Sequence, residues 1–324
     1  MKALITGALG QDGSYLSEFL LKQGYEVWGL VRGSAPLHDN VVKNVVYVYG
    51  DMRDELSLEQ VIRKLQPDEI YNLAGQVFVP TSWDNPAETF DVNVGGLARI
   101  LHVVERACKN AKVYQASSSE MYGNVRSEYL IALNEKSAMN PVSPYATSKY
   151  AAHKLVDVYR KKGFFVVSGI LFNHESPRRG QEMVTRKITR QIGAWMAGEK
   201  GQLRLGNCDA KRDWGFAGDY VVAMYRMLQL PEPEDFVIGT GKAHSVDDFV
   251  RTAIEASDLR LDDSIIDVQV NCPEFARQNE LWTLVANYSN AESKLKWHPE
   301  YSFEELVAMM VKSDAAYYKE LANV

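Results

Sequence analysis

Thr6-Gly7-Ala8-Leu9-Gly10-Gln11-Asp12-Gly13 follows the apolar run Lys2-Ala3-Leu4-Ile5 and precedes the periodic stretch Tyr15–Lys22. The glycines are spaced G-x-x-G-x-x-G between an expected strand and an expected helix. Glycine there permits a tight turn and close approach of backbone to a pyrophosphate, and the helix N-terminus favours the anion. Thr6, Gly7, Gly10, Gln11, Asp12 and Gly13 are therefore candidate contacts for a dinucleotide.

Working outward, short β-like runs alternate with helical stretches. Strands are expected at Lys2–Thr6, Tyr25–Val31, Val45–Tyr49, Glu69–Leu73, Lys112–Ala116 and Val166–Leu171, with helices at Tyr15–Lys22, Leu56–Leu65, Ala87–Lys109 and Pro144–Lys161. Alternation of this kind, with Val/Ile-rich strands, predicts an α/β fold: a doubly wound parallel-sheet Rossmann domain carrying a smaller mixed α/β lobe. The expected division is 1–172 for the dinucleotide-binding domain, to which 212–240 and 285–298 return, and 173–324 for the lobe. In that second part helices are expected around Val184–Ala197 and Gly218–Gln229. Ser245-Val246-Asp247-Asp248 and Ser302-Phe303-Glu304-Glu305 each read as a capping box opening a helix.

The 324 residues carry 36 Lys+Arg and 42 Asp+Glu, a net charge of -6, which disfavours nucleic acid as a partner. No apolar run reaches the length of a membrane span, and Gln11-Asp12 interrupts the only stretch resembling a leader. Three widely spaced cysteines, Cys108, Cys208 and Cys272, form neither a disulfide framework nor a zinc ribbon, so no metal is expected and a reducing, cytoplasmic setting is. Against the acidic balance, Arg178, Arg179, Arg186, Lys187, Arg190, Lys211 and Arg212 cluster, which suggests a small anionic ligand.

Several residues read as parts of one site. Arg32, at the end of the second strand, suits a 2′-phosphate where an acid would bind a ribose hydroxyl, so NADP is favoured over NAD. Asp51-Met52 follows the third strand, where an adenine would lie, and Leu73-Ala74-Gly75 follows the fourth. Tyr145-Ala146-Thr147-Ser148-Lys149 places a phenol and an ammonium at i and i+4 on one helical face. An ammonium nearby is expected to lower the phenol's pKa and make it a base. Ser118 and Glu120 stand two apart at the end of the fifth strand, so alternation is expected to aim both at the ligand crevice.

Together these segments resemble the extended short-chain dehydrogenase/reductases, and within them the GDP-mannose 4,6-dehydratase family, over nearly the whole chain. The most specific are Gly169-Ile170-Leu171-Phe172-Asn173-His174-Glu175-Ser176-Pro177-Arg178-Arg179-Gly180 and Arg212-Asp213-Trp214-Gly215. The resemblance implies oxidation of a sugar C4 hydroxyl, removal of the C5 proton, loss of water from C6 and return of the hydride to C6. It implies Tyr145 as base, tuned by Lys149, with Ser118 on the C4 oxygen and Glu120 acting at C5 and C6. His174 and Arg179 match contacts to NADP, and Arg179 is expected to reach a neighbouring subunit's cofactor. Asn173, Lys187, Arg212 and Arg277 match positions holding diphosphate or guanine, and Glu280 a ribose position. Ser82 and Val184 complete the substrate set, while Arg178, Arg186 and Arg190 are expected on a solvated helix face. A homodimer or homotetramer is implied.

Departures from the family pattern gather at the sugar end. Gly33 replaces a second Arg, Ala74-Gly75-Gln76-Val77 lacks a hydroxyl, and Ser118 stands for Thr. The substrate is thus expected to be GDP-mannose or a close GDP-hexose or GDP-heptose. The alternatives are a GDP-4-keto-6-deoxysugar reductase or an epimerase, which need Tyr145 and Lys149 but no carboxylate at Glu120, and a non-catalytic NADP sensor, which has no need to keep both Tyr145 and Lys149.

Overall fold

The computed structural model describes residues 1–33, 40–124, 132–257, 259–260, 263–275 and 279–321. In chain order the first part holds β1 (Lys2–Thr6), α1 (Gln11–Lys22), β2 (Glu26–Val31), β3 (Val46–Tyr49), α2 (Glu55–Leu65), β4 (Glu69–Asn72), α3 (Val79–Asp84), α4 (Pro86–Phe90), α5 (Gly96–Ala107), β5 (Lys112–Ser118), α6 (Pro144–Lys161) and β6 (Val166–Leu171). There follow β7 (Asn173–Glu175), α7 (Val184–Met196), β8 (Leu203–Arg204), β9 (Lys211–Arg212), β10 (Trp214–Phe216), α8 (Ala217–Leu228), β11 (Phe236–Ile238), β12 (His244–Ser245), α9 (Val246–Glu255), β13 (Val268–Gln269), β14 (Thr283–Leu284) and α10 (Phe303–Leu321).

The expected parallel sheet is present, seven-stranded, in the order β11-β6-β5-β4-β1-β2-β3. Its strand order reverses between β1 and β4, the place where a doubly wound sheet opens a crevice at its carboxyl edge. Both faces are covered. Leu16, Leu20, Met224 and Met227 of α1 and α8 pack on one side with Ile5, Tyr71 and Tyr114. Ile62, Ile100, Val104 and Val156 of α2, α5 and α6 pack on the other with Leu4, Ile70 and Val113. Burial on both faces explains why the strands read as unbroken apolar runs. A separate apolar cluster joins α7, α9 and α10 through Ile192, Trp195, Phe249, Leu306 and Met310.

Local signals acted as their chemistry dictates. Ser143 caps α6 by accepting from Ala146 N at 3.1 Å, with Pro144 in the first turn. Both capping boxes form: Ser245 with Asp248, and Ser302 with Glu305. The single helix expected over Ala87–Lys109 is instead interrupted by a π-helical turn at Asp91–Gly95. Arg99 explains the widening: it donates to Asp91 O and to Met52 O while pairing with the Asp91 carboxylate at 2.7 Å. Gly96 lets Met52 lie against the helix, because a Cβ there would meet Met52 Cε at 2.7 Å.

Arg186 departs from the solvated face expected of it. It is 9% exposed and pairs with the fully buried Asp314 of α10 at 2.8 Å, while Thr189 donates to the same carboxylate at 2.7 Å. Burial pushes Asp314 up and Arg186 down despite their attraction. Gly193 brings the helices this close, since a Cβ there would strike the Asp314 backbone at 2.8 Å. Asp314→Ala should therefore cost about 3–5 kcal/mol by leaving a buried guanidinium unpaired, whereas Arg186→Met with Asp314→Leu should come out near neutral. Chemical denaturation of the two variants checks this.

Candidate active site

The glycine turn is built as a cradle. Gly7 takes a φ of +68°, and a Cβ on it would meet Ala74 N at 2.9 Å, so only glycine lets the turn lie against the end of β4. Gly10 N donates to Gly7 O at 2.9 Å, and Gly13 packs the first turn of α1 on the same carbonyl. Thr6 does not face solvent: its buried hydroxyl donates to Asn72 Oδ1 and accepts from Leu73 N and Ala74 N. These residues fit a dinucleotide pyrophosphate, since the close approach is what a side chain would forbid.

Gln11 ties this turn to the strap after β6, donating to His174 O at 2.9 Å and accepting from Ser176 Oγ at 2.8 Å. Asp12 would put a negative charge where an anion is wanted. His174 cancels it. One ring nitrogen faces Asp12 Oδ2 at 2.8 Å and the other faces Phe172 O at 2.7 Å. Both partners accept, so both nitrogens must donate and the ring is an imidazolium. Burial opposes both charges, yet Asp12 holds His174 above its ordinary pKa and His174 holds Asp12 below its own. The ring also stacks on Tyr220, centroids 4.7 Å apart.

At the far end of the crevice Arg32 is exposed after β2. Asp51 is gripped by Arg53, whose Nη2 and Nε lie 2.8 and 3.1 Å from its two carboxylate oxygens, and this pairing brings the carboxyl down to about 2. Met52 is buried against Gly96 at the start of α5. Leu73, Ala74 and Gly75 line the floor. A Cβ on Gly75 would come within 3.5 Å of Lys149 Nζ, which places the floor beside the Tyr-x-x-x-Lys helix.

Ser118, Glu120, Tyr145 and Lys149 are brought together, though not in the expected way. β5 ends at Ser118, and Glu120 lies on a 3₁₀ turn, Ser119–Tyr122, so strand alternation is not what joins the two. The Ser118 hydroxyl caps that turn, accepting from Glu120 N at 3.2 Å, and lies near enough to the Tyr145 phenol to favour its ionised form. Glu120 is half-buried and close enough for its charge to act on the phenol. Beside Lys149 the Tyr145 pKa stands raised rather than lowered as expected. The Lys149 Nζ donates to Ala116 O at 3.0 Å and stands 5.9 Å from the centre of the phenol ring. Burial governs both groups: Tyr145 is pushed up to about 12, with Ser118 and Arg179 pulling it down and Glu120 up, and Lys149 is brought down to about 8. Arg179 turns back onto Glu175 of its own chain, Nε to Oε2 at 3.1 Å.

The nucleotide end is less gathered. Arg212 is buried, donates to Leu281 O at 2.6 Å and pairs with Glu280 at 3.2 Å. Lys187 donates to Arg204 O at 2.6 Å and lies 3.5 Å over the Phe275 ring, and burial lowers its pKa. Val184 opens α7, half-buried, and Asn173 is half-buried on β7, which pairs with β10. Ser82 faces the interior: it is fully buried with its hydroxyl donating to Val79 O. Arg277 lies outside the described residues.

Sequence reasoning passed over Asn93. It sits buried on the π turn, accepts from Gln76 N at 2.9 Å, and donates to Gln76 O at 3.1 Å and to Ser148 Oγ at 2.9 Å. It thereby fastens the loop after β4 to the residue beside Lys149. The available signal was a lone amide amid apolar positions, Val92-Asn93-Val94, followed by two glycines. Arg53 was also missed, two residues beyond an acid that it neutralises.

Sheet order, glycine turn and Tyr-x-x-x-Lys helix together define an extended short-chain dehydrogenase/reductase. Among solved structures the chain superposes on UDP-glucose 4-epimerase of Thermus thermophilus, determined with NAD, with a TM-score of 0.85 and 25% identity over 97% of this chain and 99% of that one. The family model described as GDP-mannose 4,6 dehydratase matches residues 4–310. GDP-mannose 4,6 dehydratase 2 of Arabidopsis thaliana is 43% identical over 96% of this chain and 86% of its own length, and the Homo sapiens GDP-mannose 4,6 dehydratase is 42% identical over 96% and 91%. The chain belongs to the GDP-mannose 4,6-dehydratase family.

Proposed function

We propose that the protein is a GDP-sugar 4,6-dehydratase working with tightly held NADP, and that it turns GDP-mannose or a close GDP-hexose or GDP-heptose into the 4-keto-6-deoxy sugar and water. What supports this reading is that Glu120 follows Ser118 on the turn at the end of β5, near enough to Tyr145 for its charge to act on the phenol. A reductase or an epimerase on this scaffold has no use for that carboxylate.

In this reading Ser118 holds the C4 oxygen and Tyr145 takes the C4 hydroxyl proton. The nicotinamide dinucleotide supplies a hydride acceptor at C4 and a donor at C6, so no net oxidation results. Once C4 is a ketone the C5 proton is acidic. Glu120 removes it and, now protonated, returns a proton to the departing C6 hydroxyl as water; once C6 is reduced, Tyr145 gives the proton it took from the C4 hydroxyl to C5, which restores both groups. Lys149 carries charge beside the phenol and holds the ribose of the cofactor. Gly7, Gly10, Gln11, Asp12, Gly13, Leu73, Ala74, Gly75, His174 and Arg179 hold the remainder of the dinucleotide, with Thr6 bracing the turn from behind. NADP is favoured because Arg32 is exposed at the end of β2, where its guanidinium suits a 2′-phosphate, and because Arg53 occupies the acid, Asp51, that would otherwise repel one.

The diphosphate and guanine fall to Asn173, Val184, Lys187, Arg212 and Arg277, and the ribose to Glu280. We assign dinucleotide binding to 1–172 with 212–240 and 285–298, and the nucleotide sugar to 173–324. A homodimer or homotetramer fits the exposed Trp83, Phe90 and Val158 on α3, α4 and α6. Three free cysteines suit a reducing, cytoplasmic setting. Among the described residues no helix is long and apolar enough to cross a membrane, and no cluster of three metal-binding side chains occurs.

Incubation of the purified protein with GDP-mannose and no added cofactor tests the reading. The expected product is lighter by one water, with the co-purified dinucleotide unchanged in amount and identified as NADP. Stoichiometric consumption of NADPH on a keto sugar would replace this reading by the reductase.

A further inference from the structure

Across three adjacent strands, at the last residues of β1 and β4 and the middle of β5, the side chains on one face are polar and bonded end to end. Thr6 Oγ1 donates to Asn72 Oδ1 at 2.7 Å, and Asn72 Nδ2 donates to Gln115 Oε1 at 2.7 Å. Gln115 Nε2 donates to Ala116 O at 2.9 Å, the carbonyl to which Lys149 Nζ donates at 3.0 Å. The register sets Thr6 beside Asn72 and Asn72 beside Gln115, so the row runs straight across β1, β4 and β5. Thr6, Asn72, Gln115 and Lys149 are 0%, 2%, 2% and 5% exposed.

The direction of the row is fixed by chemistry. Thr6 Oγ1 already accepts from Leu73 N and Ala74 N, so its own hydrogen is what it offers Asn72. Asn72 must then present its carbonyl to Thr6 and its NH₂ to Gln115, and Gln115 in turn presents its NH₂ to Ala116 O. Neighbouring strand positions such as Ile5, Ile70 and Val113 are filled by plain hydrocarbon. Buried amides are tolerated in such a core only when fully satisfied, so a satisfied row that ends on an ammonium acceptor asks for a purpose beyond cohesion.

We propose that Gln115, held by Asn72 and Thr6, is a positioning residue for Lys149. A carbonyl has two lone pairs. Gln115 takes one on Ala116 O, which leaves the ammonium a single direction of approach and turns its other hydrogens toward Tyr145 and the floor at Gly75. The row begins at the glycine turn, so one set of bonds sets both ends of the dinucleotide crevice. The proposal rests on the reading of Lys149 as the charge beside the phenol. Asp12 of α1, itself paired with His174, acts on that ammonium, and Asp12, Glu120 beyond β5 and Arg179 of the strap after β6 act on the Tyr145 phenol beside it, while His153 lies one turn further along α6.

Gln115→Met keeps length and removes both bonds. The ammonium then settles onto the vacated lone pair and away from the phenol. The expected kcat on GDP-mannose is about tenfold lower with KM nearly unchanged, and both limbs of the kcat–pH profile move up by roughly half a unit or more. The melting temperature of the cofactor-free protein also falls, because Asn72 loses its acceptor. Asn72→Leu with Gln115→Met replaces both amides by hydrocarbon. This pair should regain most of the lost melting temperature yet keep the displaced profile, and it carries both readouts if the single variant does not fold. A profile that returns together with the melting temperature, or limbs that never move, would overturn the proposal. Lys149→Met separates it from the functional reading. Normal turnover by that variant removes Lys149 from the chemistry altogether, whereas its inactivity beside an unaffected Gln115→Met defeats only the positioning.

Discussion

Glu120→Gln is expected to stop water loss, lowering kcat by about 10²–10⁴-fold, while C4 oxidation still proceeds once per active site. The reason lies in the order of the steps. In the proposed mechanism Tyr145 and Ser118 act on C4, and both keep their places in the variant, because Ser118 caps the turn through the backbone of residue 120 rather than its side chain. The amide of glutamine can neither take the C5 proton nor return one to the C6 oxygen. Quenched samples analysed by mass should therefore contain a 4-keto sugar that retains its C6 oxygen, in an amount matching the enzyme. In deuterated water the C5 position should stay protium. Rapid deuterium entry at C5 in the variant would take Glu120 out of the proton transfer.

Tyr145→Phe should be as damaging and fail earlier, with kcat again lower by about 10²–10⁴-fold and no 4-keto sugar at all. Without the phenol nothing accepts the C4 hydroxyl proton, and the ketone that acidifies C5 never forms. Ser118 still accepts from Glu120 N, so the turn should stand and cofactor retention should survive. The two variants thus divide the reaction at the ketone. If Tyr145→Phe accumulated the keto sugar as Glu120→Gln does, the phenol would not be the first base.

Much of the scaffold could be read before any coordinates. β1, the glycine turn and α1 stand where a strand, an anion cradle and a helix were expected, because the small residues there answer to backbone sterics and not to distant neighbours. Ser245 and Ser302 announced their helices for the same local reason. What resisted reading depended on partners far along the chain. Arg186 looks like a surface residue until Asp314, 128 positions later, is seen to bury it. The π turn at Asp91–Gly95 answers to Arg99 and to Met52 on another loop. Tyr145 and Lys149 were placed by their spacing, but spacing could not show that burial would outweigh their mutual electrostatics. Nor does any periodicity disclose that Asn72 and Gln115 speak to Lys149 through a shared carbonyl.

β11 returns from the second part of the chain to hydrogen-bond with β6 at the border of the sheet. A ribosome that has made only the first 172 residues has therefore delivered a sheet whose last strand is bare along one side. Such a strand is adhesive toward its own kind. That border stays open until some 65 further residues have emerged, so the two parts of the chain complete the sheet together rather than one after the other.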